Sequence, residues 1–394
     1  MWITREIEDT LVRLGQQRPV VLLTGARQAG KTSLLQKLFP SHAYVSLDLP
    51  RLAEEAEEAG SLFLEKYPPP AIIDEIQYAP QLFRYLKQCI DARRQETGLY
   101  FLTGSQKFSL MQGVSESLAG RVAVVELLSL SLQELEQASG QRAEGEQLLG
   151  WILTGGYPEI HARQLDPERF FADYLVTYLE RDVRQALQVR NLRDFDRFMR
   201  LAAVRTGQLL SMNSLASDIG VTPSTVKSWL SVLEASNIIL LLEPYYQNLG
   251  KRIVKTPKLY FFDTGLACFL AGIHTVETLR QSSLLGALFE TLALGQMVRA
   301  YANQGRRSAL YFYRDHEGHE VDFVLPVGEK LKLFECKWAE TPALQTKGFS
   351  ELEKRLGPDR ILGKTILTPM RGRRTIPQHQ VTIQDCVDLS GELT

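Results

Sequence analysis

One segment of eight residues constrains the fold of this chain more than any other. Residues 25–32 read Gly-Ala-Arg-Gln-Ala-Gly-Lys-Thr, and they follow the short apolar run Val20–Thr24. A helical pattern, Thr32–Phe39, comes directly after them. A strand, a glycine-rich turn and a helix in this order direct backbone N–H groups and a helix N-terminus at a phosphate group. The segment therefore predicts a nucleoside triphosphate site on a parallel α/β sheet.

The residues of this turn have separate expected roles. Glycines allow the backbone to wrap the phosphates of ATP. Lys31 is expected to act in catalysis by reaching the β- and γ-phosphates, and Thr32 is expected to ligate Mg²⁺. The residues expected to hold the nucleotide are Gly25, Ala26, Arg27, Gln28, Ala29, Gly30, Lys31, Thr32 and Ser33.

A pair of acids supplies the second half of the expected site. The apolar run Ala71–Asp74 ends in Asp74 and is followed by Glu75. A carboxylate at a strand end beside the phosphate loop can hold Mg²⁺, which fits Asp74, and Glu75 can polarise the attacking water. The alternative is that these acids only cap the next helix. Glu75 favours hydrolysis over passive nucleotide binding.

Two further residues are candidates for the catalytic site. The run Leu99–Thr103 is followed by Gly-Ser-Gln, and Ser105 is expected to sense the γ-phosphate. Arg121 precedes the run Val122–Leu127, where it is a candidate arginine finger for the nucleotide of a neighbouring subunit. The alternative for Arg121 is a surface or structural arginine.

A helix-turn-helix pattern follows a helical stretch at residues 130–200. Thr222 is expected to cap the second helix, with Pro223 in its first position, and the strand Ile238–Leu242 completes the order of a winged helix-turn-helix. A basic cluster that includes Lys258 follows. The residues expected to contact DNA are Ser224, Thr225, Lys227 and Ser228. They include no arginine for guanine readout, so little sequence specificity is expected. The alternative is a purely structural module.

The last third of the chain places carboxylates on a helix and two strands. Glu290 lies in the helix Leu284–Arg299, Asp322 in a second strand, and Glu335 in a third. The carboxylates of these three residues are expected to ligate Mg²⁺ or Mn²⁺, and Lys337 is expected to be a catalytic lysine that orients or deprotonates the attacking water. Residues 347–374 hold eight Lys/Arg against three acids, which suggests a phosphate-binding surface. An inactive relic of such a centre, and an ordinary basic surface, are the alternatives.

The chain resembles the AAA+ ATPases that carry a C-terminal DUF4143 domain. The strings that carry the resemblance are Gly25-Ala-Arg-Gln-Ala-Gly-Lys-Thr32, Ile73-Asp-Glu-Ile-Gln77, Leu102-Thr-Gly-Ser105, Glu116-Ser-Leu-Ala-Gly-Arg121, Gly155-Gly-Tyr-Pro158 and Tyr178-Leu-Glu-Arg-Asp-Val183. The resemblance implies a ring-forming AAA+ core, a winged helix and a nuclease-like C-terminal fold. The last third also resembles the PD-(D/E)xK nuclease core.

The expected fold class is α/β, with a P-loop AAA+ parallel sheet, a helical lid, a winged helix-turn-helix and a C-terminal α/β restriction-endonuclease-like domain. The expected bounds are 1–130, 131–195, 196–260 and 261–394. The expected function is an ATP-hydrolysing motor on branched or structured DNA, as a homo-oligomer such as a hexameric ring. The alternative is a nucleotide-dependent switch that binds DNA or protein partners, with an inactive nuclease-like scaffold.

Composition narrows the class of protein further. The four cysteines among 394 residues are far apart and form no CxxC pair, which argues against a zinc site or a disulfide framework. No run of 18 apolar residues exists, so no membrane span is expected. The first ten residues carry charges where a signal peptide needs an apolar run. A cytoplasmic enzyme is therefore expected.

Overall fold

A computed structural model of the chain describes residues 1–105, 110, 117–178, 192–246, 254–389, 391 and 393. The N-terminal part is a five-stranded parallel sheet with strand order β2-β3-β4-β1-β5. Its strands are β1 Val20–Thr24, β2 Ala43–Ser46, β3 Ala71–Asp74, β4 Tyr100–Gly104 and β5 Val122–Glu126. Its helices are α1 Glu8–Gln17, α2 Lys31–Leu38, α3 Pro50–Glu58, α4 Gly60–Lys66 and α5 Leu82–Ala92.

The apolar runs of the sequence form the centre of this sheet. Every residue of β1, β3 and β4 is buried, as expected for strands covered by helices on both faces. The parallel α/β sheet predicted from the sequence is confirmed. Because all five strands run in one direction, Thr24, Asp74 and Gly104 meet at the same edge.

Helices and a small antiparallel sheet form the middle of the chain. The helices are α6 Leu132–Ser139, α7 Gly145–Thr154, α8 Pro158–Arg163, α9 Pro167–Tyr178, α10 Leu192–Ala203, α11 Met212–Ile219, α12 Pro223–Ala235, α13 Thr264–Leu270 and α14 Val276–Gln281. The strands are β6 Gln208–Leu209, β7 Ile239–Leu242 and β8 Lys258–Phe261, with β8 in the centre. Thr222 caps α12, since its Oγ1 accepts from the Thr225 backbone N–H at 3.2 Å.

The expected boundary at residue 261 falls inside the strand β8. This strand pairs with β6 and β7, so its four residues cannot be divided between two domains. Helices α13 and α14, which come next, pack against α7. Residues up to Gln281 therefore pack with the middle of the chain, because the apolar faces of these helices are covered there.

The C-terminal part begins with a long helix and continues into a mixed sheet. Its helices are α15 Leu285–Asn303 and α16 Lys347–Leu356. Its strands are β9 Tyr311–Arg314, β10 Glu320–Val327, β11 Lys330–Cys336, β12 Ile361–Leu367, β13 Arg373–Ile376 and β14 Val381–Gln384, in the order β13-β14-β12-β11-β10-β9. Strands β9, β10 and β11 form an antiparallel meander, and β12 lies parallel to β11.

Helix α15 joins the C-terminal sheet to the rest of the chain. Fourteen of its residues are buried, on all sides of the helix, which is the pattern of a helix enclosed by other elements. It contacts β11 of the C-terminal sheet as well as α7, α13, α14 and β5. A side chain on α15 can therefore touch either part. Within the described residues, no helix combines the length and apolarity that a bilayer crossing needs.

Candidate functional site

The phosphate loop crosses the carboxyl end of β1 in conformations that suit glycine. Gly25 has φ +144° and Gly30 has φ +90°. A Cβ atom on Gly25 would lie 2.0 Å from the carbonyl oxygen of Leu127, so no side chain fits there. Gly30 stands immediately before α2, whose N-terminus points into the loop. The loop thus presents backbone N–H groups and the positive end of a helix dipole to one space.

A cleft of about 420 Å³ lies over this loop. It is lined by Arg27, Gln28, Gly30, Lys31, Thr32, Ser33, Glu75, Tyr174 and Thr177. Lys31 is buried, and its Nζ donates to the carbonyl oxygens of Gly25 at 3.0 Å and Ala26 at 2.9 Å. A phosphate oxygen is a stronger, charged acceptor for this ammonium group than a carbonyl. Tyr174 and Thr177 come from α9, and no sequence pattern indicated that this helix reaches the cleft.

Asp74 and Thr32 form the corner of the site that suits a metal ion. Thr32 Oγ1 donates to Asp74 Oδ1 at 2.7 Å, and Asp74 is 6% exposed. The hydroxyls of Tyr44, at 3.3 Å, and Ser46, at 3.5 Å, face Asp74 Oδ2. Burial and the Asp74 charge raise the pKa of Tyr44 to about 12, so it stays a donor. A carboxylate and a hydroxyl at this spacing are hard oxygen ligands that suit Mg²⁺.

Glu75 lies at the opening of the cleft. Its backbone conformation and hydrogen bonds to neighbouring residues fix its position. Its φ of +56° is left-handed, a conformation that costs a non-glycine residue energy and clusters at functional sites. Its carboxylate accepts from the side-chain amide of Gln77. Its backbone N–H donates to Thr103 Oγ1 at 3.1 Å. These contacts fix the direction of the carboxylate that lines the cleft.

Thr103, which the sequence analysis did not select, joins the two acids. The same Oγ1 that accepts from Glu75 donates to Asp74 Oδ1, and Thr103 is fully buried. Ser105, selected as the γ-phosphate sensor, is 6% exposed, and its Oγ has no hydrogen-bond partner among the described residues. Residues 103 and 105 project to the same side of an extended chain. The sequence therefore indicates the correct strand end but not which hydroxyl touches the acids.

Arg121 lies at the amino ends of the parallel strands, whereas the phosphate loop of the same chain lies at their carboxyl ends. Val122 pairs with Val20 at the start of β1, so the strand separates Arg121 from the loop by roughly 13 Å. Its guanidinium donates from Nε to Asp91 Oδ1 at 2.8 Å. It makes no contribution to the nucleotide site in the same chain. Action on the site of a neighbouring subunit stays a prediction.

A buried arginine fastens the phosphate loop to the middle of the chain. Arg5 is 5% exposed and donates to the carbonyl oxygens of Ala29, at 3.0 Å, and Leu128, at 2.7 Å. Its Nε donates to Glu134 Oε1 at 3.0 Å. Glu134 also completes the capping box of α6. Losing one partner of a buried ion pair costs about 3–5 kcal/mol, so this link resists separation.

The neighbouring Glu6 extends the link to the C-terminal part. Its Oε2 accepts from Ser131 Oγ at 2.9 Å and from Asn303 Nδ2, at the end of α15, at 2.9 Å. Burial raises the pKa of Glu6 above its ordinary value. We call Arg5, Glu6, Ser131, Glu134 and Asn303 the N-terminal clamp. It connects the phosphate loop, α6 and α15, and nothing in the sequence pattern indicated it.

The Gly155-Gly-Tyr-Pro158 string is explained by close packing. A Cβ on Gly155 would lie 2.0 Å from Asp263 Oδ1, and one on Gly156 would lie 2.6 Å from the Leu130 carbonyl oxygen. Asp263 Oδ2 accepts from the Gly156 N–H at 2.8 Å. Tyr157 is buried among aromatic rings. The string at residues 179–183 lies outside the described residues.

The C-terminal carboxylates converge, but in a different set from the expected one. The oxygens of Glu290, Glu320 and Asp322 lie within 4.8 Å of one another. Glu335, expected as the third ligand, lies outside this set, and Glu320 was not selected from the sequence. The two acids of β10 are two residues apart and therefore share a face of the strand. Strand register, which the sequence does not show, decides which acids meet.

Glu335 and Lys337 form a pair beside this set. Glu335 is 8% exposed, and its Oε1 accepts from Lys337 Nζ at 2.8 Å. Asp322 Oδ2 accepts from the Cys336 backbone N–H at 2.7 Å. Burial raises the pKa of both Asp322 and Glu335. Asp322 and Glu335 are thus buried close to the carboxylate set, whereas the Lys337 side chain is 41% exposed.

A lysine lies inside the carboxylate set. Lys258 is 2% exposed, and its Nζ is 2.9 Å from Glu290 Oε1 and in direct contact with Glu320 Oε1. The Tyr260 hydroxyl donates to Glu290 as well. Burial lowers the pKa of Lys258, but the carboxylates of Glu290, Asp322 and Glu320 raise it by more. The expectation that Lys258 belongs to an exposed basic cluster is wrong.

The expected DNA-contacting residues lie on one face of α12. Ser224, Lys227 and Ser228 are exposed, and Thr225 is half-buried, while the other face of the helix packs into the core. Three basic residues of the stretch 347–374 are instead engaged in internal ion pairs. These pairs are Arg355–Asp315 at 2.7 Å, Lys364–Glu353 at 2.7 Å and Arg371–Glu136 at 2.9 Å. The basic surface expected there is smaller than the residue count indicates.

Comparison with known families matches three consecutive segments of the chain. Residues 17–136 match an AAA domain, residues 145–277 a domain of unknown function, DUF8612, and residues 285–385 another, DUF4143. Uncharacterized proteins of Mycobacterium tuberculosis and Mycobacterium bovis are each 32% identical over 343 residues, covering 86% of this chain and 75% of theirs. The chain belongs to the AAA-type ATPases with a C-terminal DUF4143 domain.

Solved structures of ATPases also resemble this family member. The Walker-type ATPase PABY2304 of Pyrococcus abyssi covers 68% of this chain with 96% of its own, at 17% identity and a TM-score of 0.45. AMPPCP-bound DnaA from Aquifex aeolicus covers 58% of this chain with 85% of its own, at 16% identity and a TM-score of 0.24. The AAA domain match spans the phosphate loop, Asp74 and Glu75, so the cleft described above lies within the ATPase domain.

Proposed function

We propose that this ATPase acts on DNA, and that its nucleotide cycle is transmitted to the helix-turn-helix and the C-terminal part. The observation that carries the proposal is the N-terminal clamp. Arg5 holds the carbonyl oxygen of Ala29 in the phosphate loop, while Glu6 holds Asn303 at the end of α15. A change in the loop on loss of the γ-phosphate would therefore pull on α6 and α15, which lead to the middle and the C-terminal parts of the chain.

The geometry of the cleft supports hydrolysis. Lys31 would exchange its carbonyl contacts for phosphate oxygens, and Glu75 would orient the attacking water. Thr32 and Asp74 would hold Mg²⁺, which neutralises charge on the phosphates. Thr103 fixes both acids through a single hydroxyl. Each of these residues acts from a position set by the edge of the parallel sheet.

A second cleft, of about 370 Å³, adjoins the first and suits the nucleobase. The two clefts share Gln28, Gly30 and Ser33. Its apolar lining includes Trp2, Ile3, Leu34, Pro158 and Ala162. A flat purine ring favours apolar and aromatic surroundings. The N-terminal segment would thus contact the base through Trp2 and Ile3 and the phosphate loop through Arg5.

The polar face of α12 supports DNA as the partner. A helix that follows a tight turn and presents hydroxyls and a lysine near its N-terminus can contact phosphates and base edges. We propose that the elements α11, α12, β7 and β8 work as a winged helix-turn-helix with little sequence preference. We propose a homo-oligomer, including a hexameric ring, in which Arg121 reaches the ATP of a neighbour.

The deciding experiment is ATP turnover with duplex, single-stranded and branched DNA. DNA should raise turnover several-fold in the wild type, and Lys31→Ala should abolish turnover under all conditions. Asn303→Ala should keep turnover without DNA and lose most of the stimulation, because it removes the clamp contact at α15. If none of the three DNA forms changes turnover, the DNA proposal fails.

DNA cleavage is a second candidate function. The convergence of Asp322, Glu335 and Lys337 favours it, since this is the set that a metal-dependent nuclease requires. Cleavage of branched and linear DNA with Mg²⁺ or Mn²⁺ should be lost in Asp322→Ala and in Lys337→Ala. Equal cleavage by the wild type and both variants would remove this candidate.

A nucleotide-dependent switch with an inactive nuclease-like scaffold is the alternative to cleavage. The buried Lys258 favours it, because this lysine lies where the carboxylates would otherwise face a metal ion. Such a switch would turn over ATP slowly and respond to a protein partner rather than to DNA. Addition of a protein partner to the ATP turnover assay distinguishes the switch from the DNA-cleaving enzyme.

A further inference from the structure

We propose that Lys258 is the resident cation of the C-terminal carboxylate centre, and that it excludes divalent metal ions in this conformation. We define the centre as Glu290, Glu320, Asp322 and Lys258. The inference concerns metal binding alone and does not require that the chain acts on DNA. It assigns to a strand of the middle part a direct role in a site of the C-terminal part.

The position of Lys258 is fixed from several sides. It is the first residue of β8, which is hydrogen-bonded on both edges, to β6 and to β7. Its Nζ also lies 5.6 Å from the ring centroid of Phe312 and 5.9 Å from that of Tyr260. A cation over aromatic rings gains further stabilisation when it is removed from water. The ammonium group is therefore held in place and not on a mobile surface chain.

Lys258 and a metal ion would compete for the same oxygens. A bound Mg²⁺ or Mn²⁺ would lie about 2.1 Å from Glu290 Oε1, and Lys258 Nζ is 2.9 Å from the same oxygen. The two cations would then be at most about 5 Å apart in a buried space, where like charges repel strongly. This repulsion opposes metal binding, and the covalently attached ammonium is present at every metal concentration.

Two cations, Lys258 and Arg314, already offset most of the negative charge of the three carboxylates without a metal ion. Glu290 is paired with Lys258, and Glu320 is paired with both Lys258 and Arg314, the latter at 2.8 Å. Buried carboxylates need such partners, because an unpaired buried charge is costly. With Arg314 counted, addition of a divalent ion to three carboxylates and two cations would leave one positive charge in excess. Lys258 thus supplies the neutralisation that a metal ion supplies in a metal-dependent centre.

The test measures Mn²⁺ binding to the full chain, and the EPR signal of free Mn²⁺ reports how much remains unbound. All proteins carry Thr32→Val and contain no nucleotide, so that the ATP site contributes little. Without the Lys258 substitution, the chain should bind no Mn²⁺ at this centre, so that Asp322→Asn changes nothing. Lys258→Met should gain one bound ion per chain, and Lys258→Met with Asp322→Asn should lose it. Lys255→Met, which removes an exposed lysine three residues away, should bind as its parent does.

Two outcomes overturn the proposal. One is an ion bound by the parent chain that Asp322→Asn removes, and the other is a folded Lys258→Met chain that gains no ion. If Lys258→Met unfolds, Mn²⁺ should raise its melting temperature by several degrees, because the ion replaces the lost ammonium. If Mn²⁺ does not restore the fold of Lys258→Met, Mn²⁺ binding by the parent chain is compared with binding by its Asp322→Asn variant. An ion that only the parent binds overturns the proposal, and equal binding supports it. None of these readouts depends on ATP turnover or DNA, so failure here is distinct from failure of the proposed function.

Discussion

Removal of one buried hydroxyl tests how the ATP site is organised. Thr103→Val keeps the shape of the side chain and deletes Oγ1. That atom donates to Asp74 Oδ1 and accepts from the Glu75 backbone N–H at 3.1 Å. The substitution removes one of the hydrogen bonds to Asp74, the proposed magnesium ligand, and leaves the backbone N–H of Glu75, the proposed water-orienting residue, without this acceptor. ATP should still bind, since the phosphate loop itself is untouched, but hydrolysis should slow.

The size of the effect follows from the two contacts. A hydrogen bond to a charged group contributes about 1.5–3 kcal/mol, and a neutral one about 0.5–1.5 kcal/mol. If both act mainly in the transition state, the barrier to hydrolysis rises by roughly 2–4 kcal/mol. Since 1.36 kcal/mol corresponds to a factor of ten in rate, kcat should fall by about 30- to 1,000-fold. If the two hydrogen bonds also stabilise the ground state, kcat falls by less.

The assay is steady-state ATP hydrolysis at saturating Mg²⁺ and ATP, together with direct nucleotide binding. Thr103→Ser, which keeps the hydroxyl, should retain most of the wild-type kcat. Ser105→Ala should have the smaller effect of the two strand-end substitutions, because its Oγ contacts neither acid. Turnover of Thr103→Val within about three-fold of wild type, or a larger loss in Ser105→Ala, would refute this account of the site.

Two further predictions concern the Gly-Gly-Tyr-Pro string. Gly155→Ala should destabilise the chain by more than about 3 kcal/mol in urea unfolding, because its φ is +70° and its Cβ would meet Asp263 Oδ1 at 2.0 Å. Gly150→Ala, in α7 with open space around it, should be neutral or stabilise by up to about 1 kcal/mol, and equal losses in both would contradict the packing account. His161 hydrogen-bonds the Gly155 carbonyl at 2.7 Å, and burial lowers its pKa below 6.5. The unfolded chain therefore takes up a proton first as pH falls through 6.5, so melting curves from pH 7.5 to 5.5 should show a loss of stability that is smaller in His161→Gln.

The ATP site was predictable where its chemistry lies in contiguous residues. A loop that wraps phosphates is a local structure, so the string at residues 25–32 carries most of its own geometry. Asp74 and Glu75 were predictable because the ends of parallel strands meet at one edge of a sheet. Thr103 was not, because the choice between residues 103 and 105 depends on the register of β4 against β1 and β3. The hydroxyl that touches the acids lies two positions before Ser105, whose role as the γ-phosphate sensor stays a prediction.

Contacts across long sequence separations explain the remaining differences. Arg5 and Glu134 are 129 residues apart, and Glu6 and Asn303 are 297 apart. In the sequence alone, each of these residues is an ordinary charged or polar residue of a helix or loop. Their partners are set by the packing of α6 and α15 around the sheet, which periodicity does not reveal. The N-terminal clamp is thus visible only in the folded chain.

Lys258 shows why counts of charge along a sequence overestimate a nucleic-acid surface. Within the strand Lys-Leu-Tyr-Phe, residues 258 and 260 share one face by the period of an extended chain. Tyr260 is fully buried, so the lysine on that face is directed inward as well. A buried ammonium needs an acid, and Glu290, 32 residues away, supplies it. Lysines that alternate with buried aromatic residues in a strand are therefore candidates for internal ion pairs, and they should be removed from such a count before any phosphate surface is inferred.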